Sequence, residues 1–265
     1  MSTTNLSNMK IGFLGFGKMG QAIGGGLAGA FPGIALGYYD ARPLDPAPGI
    51  QGLTSFASIG EVEAFSDLLL LCVKPGDMGR AVADLKGDKK YISIAAGLQV
   101  SGIRSSFQCS EPVQIARVMP NISALIGSAV SGVYCEEAEL RETTLALFNA
   151  IGMAVRIDKE ELMHAVTGLS GSGPAYVFAF IQALAEGGVQ AGLTYDAALQ
   201  LAAATVQSSA AMLRASNEHP AALRNSVTSP GGTTIAGLKA LEDRGFHGSI
   251  MEAVRAAAAR SKELE

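Results

Sequence analysis

This chain of 265 residues lacks most features of proteins that are exported or that bind nucleic acid. It has no tryptophan, only three cysteines and a net charge of −4. The Lys and Arg residues are scattered, so no basic stripe can follow a phosphate backbone or an acidic membrane. We therefore expect neither a nucleic-acid nor a membrane partner. A content of 48% apolar residues indicates a folded protein with a substantial core.

The cysteines and the N-terminal residues both favour the cytoplasm. Cys72, Cys109 and Cys135 are odd in number and too far apart for a zinc knuckle or a redox pair, which suits a reducing compartment. We expect them to be buried as small apolar residues. The first eight residues have neither a basic nor an apolar segment, and the apolar run at residues 68–73 is too short to span a membrane.

The three histidines do not predict a metal site. None lies at ligand spacing from another histidine or from a pair of carboxylates. His164 follows Glu160 and Glu161, and we expect it at a helix start in a solvated or capping role.

The chain divides into two parts of different character. Between residues 9 and 160, short runs rich in Ile, Val and Leu alternate with helical or turn-like segments, which predicts a doubly wound, mostly parallel α/β sheet of the Rossmann type. Strands are expected at residues 10–14, 34–39, 68–73, 91–95, 113–118, 130–134 and 153–157. From residue 161 to 265 the strand pattern ends, and Ala-, Leu- and Gly-rich stretches predict an all-helical domain.

Two of the expected helices, at residues 176–189 and 197–216, are apolar nearly all the way round. Such helices cannot lie on the surface of an isolated monomer. The helical part is too small to cover them with its own surface, so the sequence predicts an intertwined homodimer.

A complete G-x-G-x-x-G follows the first expected strand and begins a helix. We expect Gly15 to make the tight turn, Gly17 to let a pyrophosphate approach the backbone, and Gly20 to pack helix on strand. Asp40 ends the next strand about twenty residues on, where an acidic residue accepts hydrogen bonds from an adenosine ribose. A glycine turn without a ligand is the alternative, and this context favours a dinucleotide.

Asp40 and Arg42 give opposite indications about which nicotinamide nucleotide is used. The charge of Asp40 would repel a 2′-phosphate, which favours NADH. The guanidinium of Arg42 can clamp a 2′-phosphate with two hydrogen bonds, which favours NADPH. A simple surface ion pair between the two residues is the structural alternative. These residues alone leave the choice between the two nucleotides open.

A hydroxyl- and glycine-rich turn at residues 227–234, Val-Thr-Ser-Pro-Gly-Gly-Thr-Thr, precedes another helix. Gly231 and Gly232 allow a sharp bend and a close backbone approach, and the free N–H groups of the following helical turn suit a small carboxylate. Ordinary helix capping is the alternative, but it accounts for only one hydroxyl. The hydroxyls are those of Ser229, Thr233 and Thr234.

In order and spacing, these motifs resemble those of the pyrroline-5-carboxylate reductases, over essentially the whole chain after Met9. Besides the two glycine turns, the resemblance depends on the segments at residues 72–75 (Cys-Val-Lys-Pro), 93–97 (Ser-Ile-Ala-Ala-Gly), 117–121 (Arg-Val-Met-Pro-Asn) and 168–176 (Gly-Leu-Ser-Gly-Ser-Gly-Pro-Ala-Tyr). On physical grounds alone, the first two could equally be strand-ending turns. The resemblance implies hydride transfer from NADPH or NADH to C5 of 1-pyrroline-5-carboxylate, which gives L-proline in the last step of proline biosynthesis. It favours NADPH, with NADH also accepted.

The resemblance also implies roles for individual residues. The substrate carboxylate would lie on the N–H groups of Gly231, Gly232 and Thr233 and on the Ser229 hydroxyl, while Thr234 would hydrogen-bond the ring nitrogen as a candidate proton relay. Dimers would assemble into a larger ring such as a decamer, with each active site between two subunits. Cofactor contacts would come from Gly15, Gly17, Lys18, Met19, Gly20, Asp40, Arg42, Val73, Lys74, Pro75, Ala95, Ala96, Gly97, Met119 and Asn121.

Residues 168–176 also match the spacing of a motif in the related β-hydroxyacid dehydrogenases, whose lysine transfers a proton. Here Val177 occupies the lysine position and Ile181 the asparagine position. Valine cannot remove the proton that an alcohol loses with its hydride, whereas a cyclic imine is basic enough to arrive protonated. The alternatives are another imine or β-hydroxyacid-type oxidoreductase and a non-catalytic dinucleotide sensor.

Overall fold

The computed structural model describes residues 6–42, 44, 50–109 and 112–264. These residues form two compact units, one from residues 1–172 together with 255–265 and the other from residues 173–254. The functional boundary expected after residue 160 stays a prediction. Residues 1–5, on which part of the N-terminal expectation depends, lie outside the described residues.

The first unit is built on an eight-stranded sheet with the order β3-β2-β1-β4-β5-β6-β7-β8. All neighbouring strands are parallel except β6 and β7, which are antiparallel. The chain moves outward from β1 in both directions, so a topological switch point lies between β1 and β4. The predicted doubly wound, mostly parallel sheet is confirmed. The strands are β1 Lys10–Leu14, β2 Ala35–Tyr39, β3 Leu53–Ser55, β4 Leu68–Leu71, β5 Lys90–Ser93, β6 Gln114–Met119, β7 Ala129–Tyr134 and β8 Gly152–Arg156.

Helices cover the sheet and then make up the second unit. Those of the first unit are α1 Lys18–Ala30, α2 Ile59–Phe65, α3 Met78–Val82, α4 Val100–Ser105, α5 Ala138–Ala150 and α6 Met163–Val166, with 3₁₀ turns at Pro75–Asp77, Ile122–Ile126 and Glu160–Leu162 and a π turn at Thr167–Gly171. The helices that follow are α7 Gly173–Gln190, α8 Tyr195–Ala215, α9 Pro220–Ser226, α10 Thr233–Glu242 and α11 Phe246–Glu263. Helix α11 begins in the second unit and ends in the first, which includes residues 255–265. Among the described residues, none of these helices is long and apolar enough to cross a bilayer.

The central strand β4 shows why the sheet forms where it does. Its four leucines are all buried, because strands of a parallel sheet are covered on both faces. Leu68 and Leu70 pack into one apolar layer, and Leu69 and Leu71 pack into the layer on the opposite face. The Cys-Val-Lys-Pro segment at residues 72–75 follows directly at the carboxyl end of this buried strand.

The second unit has little core of its own. In the part of it that the structure describes, the buried apolar cluster consists of Ala185, Ala198 and Ala202. Large apolar side chains are exposed instead, including Phe178 at 62%, Leu201 at 58% and Met251 at 72%. Apolar surface of this extent on one helical unit indicates a surface that another chain covers.

Two expectations about single residues need correction. His164 is buried, not solvated, and its Nδ1 lies 3.1 Å from the Ser261 hydroxyl. It belongs to α6, which packs against β7, where a Cβ on Gly132 would lie 2.6 Å from the Val166 side chain. Cys135 is buried as expected, but Cys72 and Cys109 are only partly buried.

Candidate nicotinamide-nucleotide site and anion turn

The turn between β1 and α1 requires glycine at two of its positions. Gly15 has a φ of +84°, and a Cβ there would lie 3.0 Å from the Cys72 carbonyl oxygen, so an L-residue would be strained and crowded. A Cβ on Gly20 would lie 3.1 Å from the Gly15 carbonyl oxygen. Gly17 has open space in the direction of a Cβ. The backbone at Gly17 is therefore accessible to a ligand.

Asp40 holds this turn against the end of β2. Its Oδ2 accepts a hydrogen bond from the N–H of Phe16 at 2.8 Å, and its Oδ1 accepts one from the N–H of Arg42 at 2.9 Å. The Nε of Arg42 is 3.9 Å from Oδ1, and the Arg42 side chain is 74% exposed. Both carboxylate oxygens of Asp40 thus have backbone donors, while the guanidinium remains accessible.

A cavity of about 710 Å³ opens beside the turn, within the size range of small-molecule sites. It brings together many residues predicted to contact the cofactor: Gly15, Gly17, Lys18, Met19, Gly20, Asp40, Arg42, Val73 and Lys74. Lys18 and Lys74 add positive charge that suits the phosphates of a dinucleotide.

Sequence reasoning missed one wall of this cavity. Asp77, Arg80, Ala81 and Asp84 line it from the segment after β4, and Arg80 pairs with Asp77 at 2.9 Å. These residues follow the carboxyl end of β4, where parallel sheets bind their ligands, and their position after this strand is the signal that could have identified them.

Cys72 also lines the cavity. Desolvation by the surrounding protein raises the pKa of the Cys72 thiol far above its ordinary value. A raised pKa disfavours the thiolate, which is the nucleophilic form of cysteine.

Other predicted cofactor residues do not line the cavity. Pro75 begins a 3₁₀ turn next to it. Ala95, Ala96 and Gly97 follow β5, and the N–H of Ile94 donates to the Leu71 carbonyl at 3.2 Å. Because β4 and β5 are parallel neighbours, this segment lies at the same carboxyl end of the sheet as the residues after β4 that line the cavity.

The side chain of Asn121 makes three hydrogen bonds to the backbone. Its Oδ1 accepts hydrogen bonds from the N–H groups of Ser123 and Val130, at 3.3 and 3.1 Å, and its Nδ2 donates to the Ser170 carbonyl at 3.2 Å. Met119 lies against the π turn, since its Cε is 2.7 Å from where a Cβ on Gly171 would be. Contacts of these two residues with a cofactor stay predictions.

The turn at residues 227–234, called the anion turn because it is the expected carboxylate site, has an open geometry before the N-terminus of α10. Gly231 has a φ of +68°, and Gly232 is the N-cap of α10 with no side-chain cap. The Gly232 N–H donates to the Ser229 carbonyl at 3.1 Å, and a Cβ on Gly232 would collide with the Ser229 hydroxyl. Thr233 and Thr234 begin the helix and are exposed. Side-chain capping of α10 therefore does not account for these hydroxyls.

Known proteins with similar sequences identify the family. Residues 160–264 match the family described as "Pyrroline-5-carboxylate reductase dimerisation". Pyrroline-5-carboxylate reductase of Methanosarcina acetivorans is 41% identical over 273 aligned positions, which cover 98% of this chain and 99% of that protein. This chain belongs to the pyrroline-5-carboxylate reductase family.

Further relatives agree with this membership. The pyrroline-5-carboxylate reductase of Arabidopsis thaliana is 39% identical over 268 positions, which cover 97% of this chain and 96% of that protein. The crystal structure of Plasmodium falciparum pyrroline carboxylate reductase with NADP bound superposes with a TM-score of 0.87 and 32% identity, covering 98% of this chain and 99% of that chain. The family match to a dimerisation region agrees with the exposed apolar helices of the second unit.

Proposed function

We propose that this protein is a pyrroline-5-carboxylate reductase. It adds a hydride from NAD(P)H to C5 of 1-pyrroline-5-carboxylate and a proton to the ring nitrogen, which gives L-proline and NAD(P)⁺. The observation that carries the proposal is the 41% identity to such a reductase over 98% of the chain. An accessible glycine turn and an uncapped anion turn support it, since the reaction needs a site for each reactant.

The residues of the cavity fit a nicotinamide dinucleotide. Gly17 leaves its backbone open for the pyrophosphate, and Lys18 and Lys74 supply positive charge for the phosphates. Arg42 is the candidate for a 2′-phosphate, because it is mostly exposed while Asp40 is engaged by backbone N–H groups. We therefore favour NADPH, with NADH also accepted. The cofactor supplies the hydride, and the protein has to hold and align it.

The anion turn is the proposed substrate site. The N–H groups at the start of α10 and the Ser229 hydroxyl would bind the substrate carboxylate, because a helix N-terminus favours negative charge. Thr234 would hydrogen-bond the ring nitrogen. Its hydroxyl is a candidate relay for the proton that the nitrogen gains. Since a pyrroline nitrogen is itself basic, the protein mainly aligns two reactants and binds charge.

The proposed assembly is a homodimer that associates further into a ring such as a decamer. Residues 9–160 would form the dinucleotide-binding domain, and residues 161–265 the helical dimerisation and substrate-binding domain. Each active site would lie between two subunits. A cytoplasmic location is part of the same proposal and is supported by the odd number and wide spacing of the three cysteines.

One assay tests the reaction. The purified protein is incubated with NADPH and racemic 1-pyrroline-5-carboxylate, nucleotide oxidation is followed by absorbance, and proline is identified by chromatography. We expect proline in equal amount to the NADPH consumed. Nucleotide binding without turnover would instead favour a dinucleotide sensor. Turnover of a hydroxy acid with NADP⁺, but not of the imine, would favour a β-hydroxyacid-type enzyme.

A further inference from the structure

The last turn of α11 packs directly on the turn after β5. Gly97 has a φ of +76°, and a Cβ there would lie 3.1 Å from the Cβ of Leu264 and 3.4 Å from the carbonyl oxygen of Ser261. The two backbones therefore approach each other closely at Gly97. This contact joins segments that are far apart in the sequence.

A buried polar contact holds the last turn of α11 in place. The Ser261 hydroxyl lies 3.1 Å from Nδ1 of His164, and these residues are 3% and 8% exposed. His164 belongs to α6, which packs against β7 at Gly132. The end of α11 is thus tied to the sheet through α6.

The turn after β5 is held at Gly97 by the end of α11, and three residues further on it is held by Glu160. Its Oε1 accepts a hydrogen bond from the N–H of Val100 at 2.6 Å and pairs with the buried guanidinium of Arg117 at 3.3 Å. Residues 97–100 are therefore held at both ends by groups from other parts of the chain. A segment held in this way has little freedom to move.

The contact at Gly97 is unlike ordinary core packing. Among the described residues, the two apolar clusters of the first unit contain no residue of α11. Leu264 is 53% exposed, so it buries little apolar surface where it meets Gly97. The buried side chains are polar instead, and a hydrogen-bonded polar pair specifies geometry more than it adds stability.

We propose that Ser261 and Leu264 are positioning residues, which fix the Ala95–Gly97 turn for the nicotinamide cofactor while His164 holds Ser261 in place. The inference depends on the proposed function, in which this turn contacts the cofactor. The turn lies at the same carboxyl end of the sheet as Val73 and Lys74, which line the cavity. Loss of either positioning contact would therefore weaken cofactor binding without touching the anion turn.

The test compares cofactor affinity in matched variants of the full-length protein. Ser261→Ala removes the hydroxyl, and Lys262→Ala is the control, because Lys262 is its exposed neighbour in the same turn. The dissociation constant for NADPH is measured by nucleotide fluorescence, alongside KM for each substrate and kcat. We expect Ser261→Ala to raise the NADPH dissociation constant by about twofold to tenfold, the effect of one lost hydrogen bond. KM for the imine and the oligomeric state should not change.

Two further variants keep the inference testable if Ser261→Ala does not fold. His164→Asn keeps a polar group near the position of Nδ1 and should retain more affinity for NADPH than His164→Ala. Leu264→Glu changes a half-exposed side chain at Gly97, and we expect it to weaken NADPH binding. Normal NADPH affinity in Ser261→Ala would overturn the inference, and Leu264→Glu decides in the same way if Ser261→Ala does not fold. An equal rise in the NADPH dissociation constant and in KM for the imine would also overturn it.

Failure of the inference can be told apart from failure of the proposed function. A wild-type protein that binds NADPH but does not reduce the imine would contradict the function, and weakened NADPH binding in the variants would still support the positioning role. A wild-type protein that makes proline while the variants bind NADPH normally would contradict only the positioning role.

Discussion

The carboxylate of Asp40 and the N–H of Phe16 join the end of β2 to the glycine turn through a hydrogen bond of 2.8 Å. The side chain of Asp40 is 9% exposed. Asp40, the acidic residue expected to bind the adenosine ribose, therefore already has a structural partner. Loss of the Asp40 side chain should change the shape of the glycine turn more than the preference between NADPH and NADH.

We expect Asp40→Ala to weaken binding of NADPH and NADH alike. The variant loses two hydrogen bonds from backbone N–H groups to a carboxylate, each worth about 1.5–3 kcal/mol. Thermal unfolding and the dissociation constants of both nucleotides provide the measurement. If the variant instead improved NADPH binding alone, repulsion of the 2′-phosphate would be the main effect of Asp40.

Arg42 should decide the preference between the two nucleotides. Arg42→Ala is expected to lower kcat/KM for NADPH by about tenfold or more and to leave NADH nearly unaffected, because a charge-assisted contact with the 2′-phosphate is lost. Arg156→Ala is a matched control, since Arg156 is also exposed and paired with an aspartate. An unchanged ratio of kcat/KM for the two nucleotides would exclude Arg42 as the discriminator.

The sequence predicted the sheet better than it predicted single side chains. Each of the seven expected strands overlaps an observed one, because runs of buried Ile, Val and Leu are local signals. The edge strand β3 was missed, since Leu-Thr-Ser is short and largely exposed. The buried His164 contacts Ser261, which lies 97 positions away, so no local pattern could reveal this contact.

The candidate site shows the same limit. Glycine spacing predicted the turn at residues 15–20 and the turn before α10, because backbone geometry follows from local sequence. It could not show that Asp40 is engaged by Phe16, that Asn121 is held by the π turn, or that Gly97 meets Leu264. Those contacts form only when distant elements pack together.

The exposed apolar helices should make the oligomer sensitive to charge. We expect the wild-type protein to be a dimer or larger by light scattering at micromolar concentration, and Leu201→Glu to shift it toward monomer. Leu201 is 58% exposed in the single chain, so a charge there would be buried only on association. Ser55→Glu, on the exposed edge strand β3, is the control. A monomeric wild-type protein would contradict the proposed assembly.

The buried thiol of Cys135 should make stability fall at high pH. Burial, together with Glu137, raises the pKa of Cys135 to about 12, whereas an unfolded thiol has a pKa of about 8.5. The folded pKa is raised, so the contribution to stability is complete below about pH 8.5 and is lost between about pH 8.5 and pH 12. Cys135→Ala should flatten this decline by about 1.4 kcal/mol per pH unit in denaturant titrations. An unchanged slope would show that the thiol does not contribute.

The hydroxyls of the anion turn should separate catalysis from binding. We expect Thr234→Ala to lower kcat strongly with little change in NADPH affinity, because its hydroxyl is proposed to act on the ring nitrogen. Ser229→Ala should mainly raise KM for the imine by about tenfold to a hundredfold, the effect of one hydrogen bond to a charged group. Thr234→Ser keeps the hydroxyl and should recover most of the lost kcat.

A nearby serine provides the control for these two variants. The Ser226 hydroxyl donates to the Leu223 carbonyl within α9, so Ser226→Ala removes a hydroxyl from the same region without touching the turn. It should have wild-type kinetics. If Thr234→Ala and Ser229→Ala also showed wild-type kinetics, the substrate would not bind at residues 229–234, and the uncapped N-terminus of α10 would need another explanation.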